Sequence, residues 1–459
     1  MQNMNRTIIW LKNDLRLSDN LAIDYAAKNN HQILFLYIED KSIGSASKWF
    51  LHYALDAFQK DILQKYNAKL IIKSGDELEI LQNLVKKYDI NSILWNRIYE
   101  PKKIARDIKI KEYFKKSGLE INSFNSSLLF EPSAIKNLSG SFFKVFTPFW
   151  KNCLTKIADL PFPTQIPKSL NLITLDKEEH FNLEQLNLLP KNPNWAKNWH
   201  QIYKISEESA HDMADDFVKN RAQIYKKSRD FPAQNNTSFL SPYLHYGLIS
   251  PKHLYYKIIP YFNNEDAKCF LSEVGWREFS YHLLYHFPDL PSKNFKTKFD
   301  NFPWQNNEND IKKWQKGQTG FPIIDAGMRE LWQTGRMHNR VRMIVASFLI
   351  KNLLIDWRIG QEWFWDCLID ADLAANSASW QWVAGSGADA APYFRIFNPI
   401  LQSEKFDPKG EYIKKYLPEL NNLSNKEIHQ PKDRSKYFPE MIDLKESRNK
   451  ALLLYSGIK

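Results

Sequence analysis

Short apolar runs alternate with stretches of helical period through the first third of the chain. RTIIWL (6–11), ILFLYIE (33–39), KLIIKSG (69–75), NSILWN (91–96) and LEINSF (119–124) read as strands. Between them lie segments such as SKWFLHYALDAFQKDILQKY (47–66), whose apolar residues recur at helical spacing. This alternation predicts an α/β domain over residues 1–130, built on a five-stranded, parallel, doubly wound sheet. From 131 to 199 the pattern dissolves into Pro, Asn, Lys and Leu without a period, as expected of a long surface connector. From 200 to 459 the periods are helical almost throughout, which predicts a large all-α domain.

The densest pattern is LIDADLAANSASWQWVAGSGADAAPYFRIFNP (368–399). Read as a helix, Asp372, Asn376, Trp380 and Val383 fall at i, i+4, i+8 and i+11 and share one face, while Trp382 points elsewhere. Two carboxylates (Asp370, Asp372), an amide and an indole on so apolar a surface suit a large heteroaromatic ligand that needs hydrogen bonds at its edge. A buried amphipathic helix with a satisfied Asp is the plain alternative for any one of these residues. The glycines and proline that follow predict an irregular wall.

Composition narrows the choices. Glycine, at 15 residues of 459, is scarce against a usual share of about 7%. Long glycine-rich phosphate loops are therefore disfavoured, and no GxGxxG follows the first strand. The net charge of +11 favours polyanions such as nucleic acid, or an anionic membrane surface. Cys153, Cys269 and Cys367 stand alone, with neither a CxxC pair nor zinc spacing, which fits a reducing cytosol and no metal site. No apolar run of about 18 residues occurs, so a cytoplasmic, membrane-free protein is expected. Nine of the fifteen tryptophans lie between Trp276 and Trp382, marking the helical half as the chemical one.

Three further motifs carry polar chemistry. In YKKSRDFPAQNNTSFLSPYLHYGLISP (225–251), Thr237, Ser238 and Ser241 precede a helix expected to start at Pro242 with Ser241 as N-cap. Hydroxyls at a helix N-terminus suit a pyrophosphate, although ordinary capping explains them as well. In LSEVGWREFSYHL (271–283), Glu273, Trp276 and Arg277 share a helical face, which a surface ion pair over an aromatic would equally produce. In TGFPIIDAGMRELWQTGRMHNRVRMIVASFLIKNLLIDW (319–357), Pro322 opens one helix and Asn339, Arg342, Met343 and Ala346 share the face of the next. Basic residues gather nearby: Lys226, Lys227, Lys293, Lys296, Lys298, Lys312, Lys313 and Arg336. Beside an aromatic-lined pocket they predict a phosphate-tracking rim, a solvated face being the default.

Taken in order, these motifs resemble those of the photolyase/cryptochrome family, most closely the bacterial cyclobutane-pyrimidine-dimer photolyases, over nearly the whole chain from WLKNDLRLSDN to the final helix. The resemblance implies FAD, active in its reduced anionic form, in the helical domain. Its diphosphate would lie on Thr237, Ser238, Phe239, Leu240 and Ser241, near Tyr225 and Arg229. Phe270, Arg342, Asp370, Asp372 and Asn376 would complete the cofactor site, with Arg342 paired to Asp370 and Asn376 facing the reactive ring nitrogen. Glu273, Asn339 and Met343 would border the lesion, Trp276 and Trp382 would flank it, and Arg277 and Arg340 would meet the DNA backbone. Histidines stand at the positions of Asn339 and Met343 in relatives acting on the six-four photoproduct, so that chemistry is disfavoured. Trp304, Trp357 and Trp380 match an electron relay from surface to flavin.

The implied activity is light-dependent repair of pyrimidine dimers in UV-damaged DNA, by electron transfer from photoexcited reduced FAD to a flipped-out dimer. A cryptochrome-type photoreceptor without repair activity and a single-strand-specific photolyase are the alternatives. Phe270 and Arg336 depart from the family's commoner aromatic residues. A second, light-gathering chromophore, folate or deazaflavin, is implied without an identity: Pro291, Ser292, Lys109 and Lys111 stand where some members hold folate. The protein is expected to act as a monomer.

Overall fold

A computed structural model describes residues 4–176, 183–390, 394–433, 435 and 437–458. Strands β1 (Arg6–Leu11), β2 (Gln32–Ile38), β3 (Leu70–Lys73), β4 (Ser92–Asn96) and β5 (Glu120–Phe124) form a parallel sheet of order β3-β2-β1-β4-β5. Helices α1 (Leu21–Lys28), α2 (Ser45–Tyr66), α3 (Glu77–Lys87) and α4 (Pro101–Lys116) make the four crossovers. The two-residue strand β6 (Asn171–Leu172) pairs with β2, an addition that periodicity could not reveal. Strand side chains alternate between two cores, as a fully covered parallel sheet requires. Ile8, Trp10, Leu36 and Trp95 pack on one face. Ile9, Leu11, Phe35 and Leu94 pack on the other, and that core runs on without a break into the helical half.

The remaining helices are α5 (Phe146–Lys156), α6 (Glu207–Asn220), α7 (Tyr225–Ser228), α8 (Ser241–His245), α9 (Pro251–Ile258) and α10 (Glu265–His286). They continue with α11 (Glu308–Gln315), α12 (Pro322–Thr334), α13 (Asn339–Ser347), α14 (Trp357–Cys367) and α15 (Leu373–Ala384). Last come α16 (Pro399–Phe406), α17 (Glu411–Tyr416) and α18 (Leu444–Gly457). None of the described helices is long and apolar enough to cross a membrane.

The stretch 131–199 is more than a surface connector. Its helix α5 buries Phe149, Trp150 and Cys153, and Trp150 lies so close to α10 that a Cβ at Gly275 would come within 2.6 Å of its ring. Trp199 is also buried, its indole N–H donating to the Gln333 carbonyl at 2.7 Å. Apolar residues without a period in sequence are thus packed by a neighbour distant in sequence. Residues 177–182 of this stretch lie outside the described residues.

Polar groups lock the two halves together. The loop after β1 sends buried Arg16 to the carbonyls of Gly247 (2.8 Å) and Ser126 (2.6 Å). Glu207 accepts from the Leu17 and Ser18 N–H groups at 2.6 and 2.9 Å, and Glu278 of α10 accepts from Leu129 N–H at 2.9 Å. Each buried backbone donor thereby finds an acceptor across the interface.

Candidate active site

A cavity of about 780 Å³ opens between α7, α8, α10, α13 and α15. Its volume lies within the range of cofactor and small-molecule sites. Asn376, Trp380 and Val383 line it from α15 together with Asp372, so the face expected from the sequence exists. Asp372, however, is the N-cap of α15, and its Oδ1 accepts the Ala375 N–H at 2.8 Å. Its Oδ2 accepts from the Tyr281 hydroxyl and faces His245 Nδ1 at 3.4 Å. Burial opposes ionisation here, but the bond to His245, Arg277 and the Ala375 N–H outweigh it, holding the Asp372 carboxyl down to about 2. Burial, then the Asp372 charge, push the Tyr281 phenol well above its ordinary value, so it remains a donor.

Asp370 is held ionised beside it. Burial again disfavours the charge, yet Arg342 and the Ser241 hydroxyl keep the carboxyl below its usual value. Arg342 Nη2 reaches both Asp370 oxygens at 3.1 and 3.0 Å, the pairing expected from the sequence, while its Nε donates to the Met337 carbonyl. Ser241 donates to Asp370 Oδ2 at 2.5 Å. This overturns the expected Ser241 cap: α8 begins at Ser241 itself, Leu240 is the N-cap, and no side chain caps the helix. The helix starts one residue earlier than the Ser–Pro pair suggests, so Ser241 sits inside the first turn, and its hydroxyl donates to the charged acceptor that tertiary packing brings up.

Of the hydroxyl segment, Ser238 and Ser241 line the cavity. Leu240 is buried in the core, and Phe239 adopts a positive φ of 59° with the Arg336 guanidinium 3.9 Å above its ring. Thr237 uses its carbonyl to accept from Arg221 at 3.0 Å. Tyr225, Arg229 and Phe270 line the same cavity, with the Arg229 guanidinium 5.2 Å from the Tyr225 ring.

Towards solvent the lining changes character. Asn339 is exposed at the first turn of α13, with Met343 and Ala346 following at helical spacing, and all three line the cavity. Trp276 and Trp382 are half-buried on the same lining. Trp276 stacks on Phe146 of α5, ring centroids 3.8 Å apart and 10° from parallel. Phe146 was invisible to motif reading because it lies in the supposed connector. Asp389, in the irregular wall that follows α15 but not singled out there, accepts the Phe146 N–H at 3.1 Å and lines the cavity.

Two assignments shift in emphasis. Arg277, expected at the DNA backbone, turns inward to the Ser127 carbonyl at 2.8 Å and lies 5.1 Å from the Tyr281 ring. Arg229 and Glu273 form an ion pair, and Arg340 pairs with Asp230 at 2.7 Å. Among the basic cluster, Lys226 lines the cavity and lies 3.9 Å from Glu265, while Lys293 and Lys312 pair with Asp289 and Glu308. In the tryptophan series Trp380 and Trp357 are both buried, at 2% and 0% exposed, and Trp304 is half-buried. Trp380 seats against Gly360 of α14 and touches Phe364, centroids 5.0 Å apart. Trp357 donates its indole N–H to Asn294 at 2.9 Å. Ala391, Pro392 and Tyr393 of the expected irregular wall lie outside the described residues.

Comparison with known proteins bears on all of this. Residues 7–168 match the family model described as DNA photolyase, and residues 270–457 that described as the FAD binding domain of DNA photolyase. The sequence is 44% identical over 472 residues to a deoxyribodipyrimidine photo-lyase of Agrobacterium fabrum, covering 98% of each chain. The fold superposes on a bacterial class III photolyase from Agrobacterium tumefaciens with a TM-score of 0.95 at 43% identity, covering 100% of this chain and 98% of the other. It is similar also to an archaeal photolyase from Sulfolobus tokodaii, a structure with two FAD molecules, at a TM-score of 0.83 and 28% identity, covering 98% and 100%.

Proposed function

The chain belongs to the photolyase/cryptochrome family, and from there we propose that it uses blue light to restore cyclobutane pyrimidine dimers in UV-damaged DNA. The observation that carries the reading is one cavity with two linings: a buried floor of ionised carboxylates, amide and indole, and a half-open mouth of Trp276, Trp382, Asn339 and Met343.

The residues present fit FAD. Asp370 and Asp372 are charged acceptors, Ser238, Ser241 and Arg342 are donors, and Leu244, Phe270, Val274, Ala346 and Val383 supply apolar contact for rings. Glycine-poor loops are no obstacle when side chains and buried ion pairs hold the ligand. When bound, FAD supplies the light-driven electron for opening the dimer, chemistry that no side chain offers. The chain does the rest. Asn376 donates to the Gln361 carbonyl at 3.0 Å, which fixes the amide and leaves its Oδ1 as an acceptor at the floor. Trp276, braced by Phe146, offers a stacking face for an extruded dimer, and Trp382 the opposite one. Extrusion, general to photolyases, costs a few kcal/mol and least for a lesion that stacks poorly. Glu273 and Asn339 offer an acceptor and an amide for pyrimidine edges, and Met343 an apolar contact.

In this reading residues 1–130 form the α/β domain, 131–199 the connector and 200–459 the catalytic domain. Its second chromophore is unassigned, and the protein acts as a cytoplasmic monomer, a compartment that suits its three free cysteines. Blue light on the purified, flavin-loaded protein with dimer-containing duplex and single strands tests the activity. Thymine recovery on the duplex is expected. Recovery on neither would point to a light sensor, and recovery on single strands alone to a narrower substrate.

A further inference from the structure

Each of the four arginines lining the cavity among the described residues faces its own carboxylate: Arg342 with Asp370, Arg229 with Glu273, Arg277 with Glu278, and Arg340 with Asp230. Three of these acids have other duties. Asp370 accepts from Ser241, Glu278 caps Leu129 N–H, and Glu273 faces the mouth where pyrimidine edges would arrive. Asp230 differs. Among the described residues its carboxylate has one hydrogen-bond partner, Arg340 Nη2 at 2.7 Å.

Arg340 does not need Asp230 to be positioned. Its guanidinium lies 4.3 Å from the Phe406 ring, and its backbone N–H is held by the N-cap His338 at 3.2 Å. Among the described residues its buried Nε has no hydrogen-bond partner, so the group is short of acceptors even with Asp230 in place. Beside it stands exposed Asn339 at the cavity mouth. A phosphate brought there would be a better partner than one carboxylate, accepting from several guanidinium N–H groups at once.

We propose that Asp230 is a specificity-determining residue that occupies Arg340 and withholds it from undamaged DNA, yielding it when an extruded lesion draws the backbone against the mouth. The proposal rests on the cavity being the dimer site. Discrimination is a difference of affinities and is gained as readily by weakening the wrong complex as by strengthening the right one. The pair is largely buried, with 18% and 33% of the two side chains exposed, so it opens only for a partner that repays the guanidinium's hydrogen bonds. A phosphate drawn in with an extruded lesion does so, whereas an intact duplex, which inserts nothing, leaves the pair closed.

The test is binding of the flavin-loaded protein to undamaged and dimer-containing duplexes over a range of salt, for Asp230→Asn, Asp230→Glu and Asp289→Asn. The last removes the same unit charge from an exposed pair with Lys293. Asp230→Asn is expected to tighten undamaged-duplex binding several-fold beyond Asp289→Asn. Its log–log salt slope on that DNA should steepen by about 0.9, one phosphate contact. Dimer affinity should change little, Asp230→Glu should keep wild-type discrimination, and adding Arg340→Gln should cancel the gain. Equal tightening on both DNAs, weaker binding of either, or no difference from Asp289→Asn would overturn the proposal. A wild-type protein that shows no preference for the dimer would defeat the functional reading instead, whatever the variants do.

Discussion

A carboxylate that stays ionised inside a protein needs donors on both oxygens, and Asp372 has them in Ala375 N–H, Tyr281 and His245. Its folded pKa of about 2 lies below the ordinary value of 3.8. A depressed acid contributes stability that is complete above its unfolded pKa and is lost as pH falls through the folded one. The contribution should therefore vanish between about pH 4 and pH 2. Asp372→Asn is expected to cost about 2 kcal/mol near neutrality and to flatten the acid limb of the stability curve over that window, followed by denaturant unfolding at a series of pH values. Trp380 is tested by a smaller change. Trp380→Phe keeps an aromatic ring in the core, though not the outer indole carbons that meet Gly360, and removes an oxidisable indole, so light-driven reduction of bound flavin, read by absorbance, should slow by at least an order of magnitude. Repair by chemically pre-reduced protein should stay near wild type. Equal loss of both would remove Trp380 from the relay.

Between elements, helical periodicity placed side chains correctly wherever the helix was long. Helices α10, α13 and α15 present Glu273 and Trp276, Asn339 and Met343, Asn376 and Trp380 to one cavity, as their spacing requires. What spacing did not reveal is how closely these helices approach. A Cβ on Gly360 would come within 2.2 Å of Trp380, and one on Gly275 within 2.6 Å of Trp150. Alanine is the better helix former by about 1 kcal/mol, but overpacking a filled core costs about 1–3 kcal/mol. Gly360→Ala and Gly275→Ala should therefore each lower the melting temperature. Gly457→Ala, with nothing within 4 Å of the added carbon, should leave it unchanged or raise it slightly. Loss of stability at Gly457, or gain at Gly360, would contradict the packing.

Across the whole molecule, charge and interdomain packing act together. A net charge of +11 and the half-open mouth predict binding to dimer-containing duplex that weakens steeply between about 50 and 200 mM salt, with a log–log slope of several phosphate contacts. A flat response would argue against an electrostatic rim. The mouth itself depends on the region between the domains: α5 braces Trp276 through Phe146, and the loop after β1 anchors α6 through Glu207 and the turn after α8 through Gly247. Truncating the connector should thus damage the site as well as the link.

The alternating runs of the first third, the helical face from Asp372 to Val383 and the Asn339–Met343 spacing were all legible, because strand and helix periods are local properties of the backbone. So was the Arg342–Asp370 pair, through the resemblance its motifs carry. The partners of Glu273, Arg340, Ser241 and Arg277 were not, because an ion pair or hydrogen bond between residues tens of positions apart depends on which helices touch. Nor was the burial of α5, whose apolar residues follow no period until α10 supplies the other half of the core. Sequence by itself determined which residues could share a face. Only folding in three dimensions decided which faces meet, and hence which charges at the cavity are already neutralised before any ligand arrives.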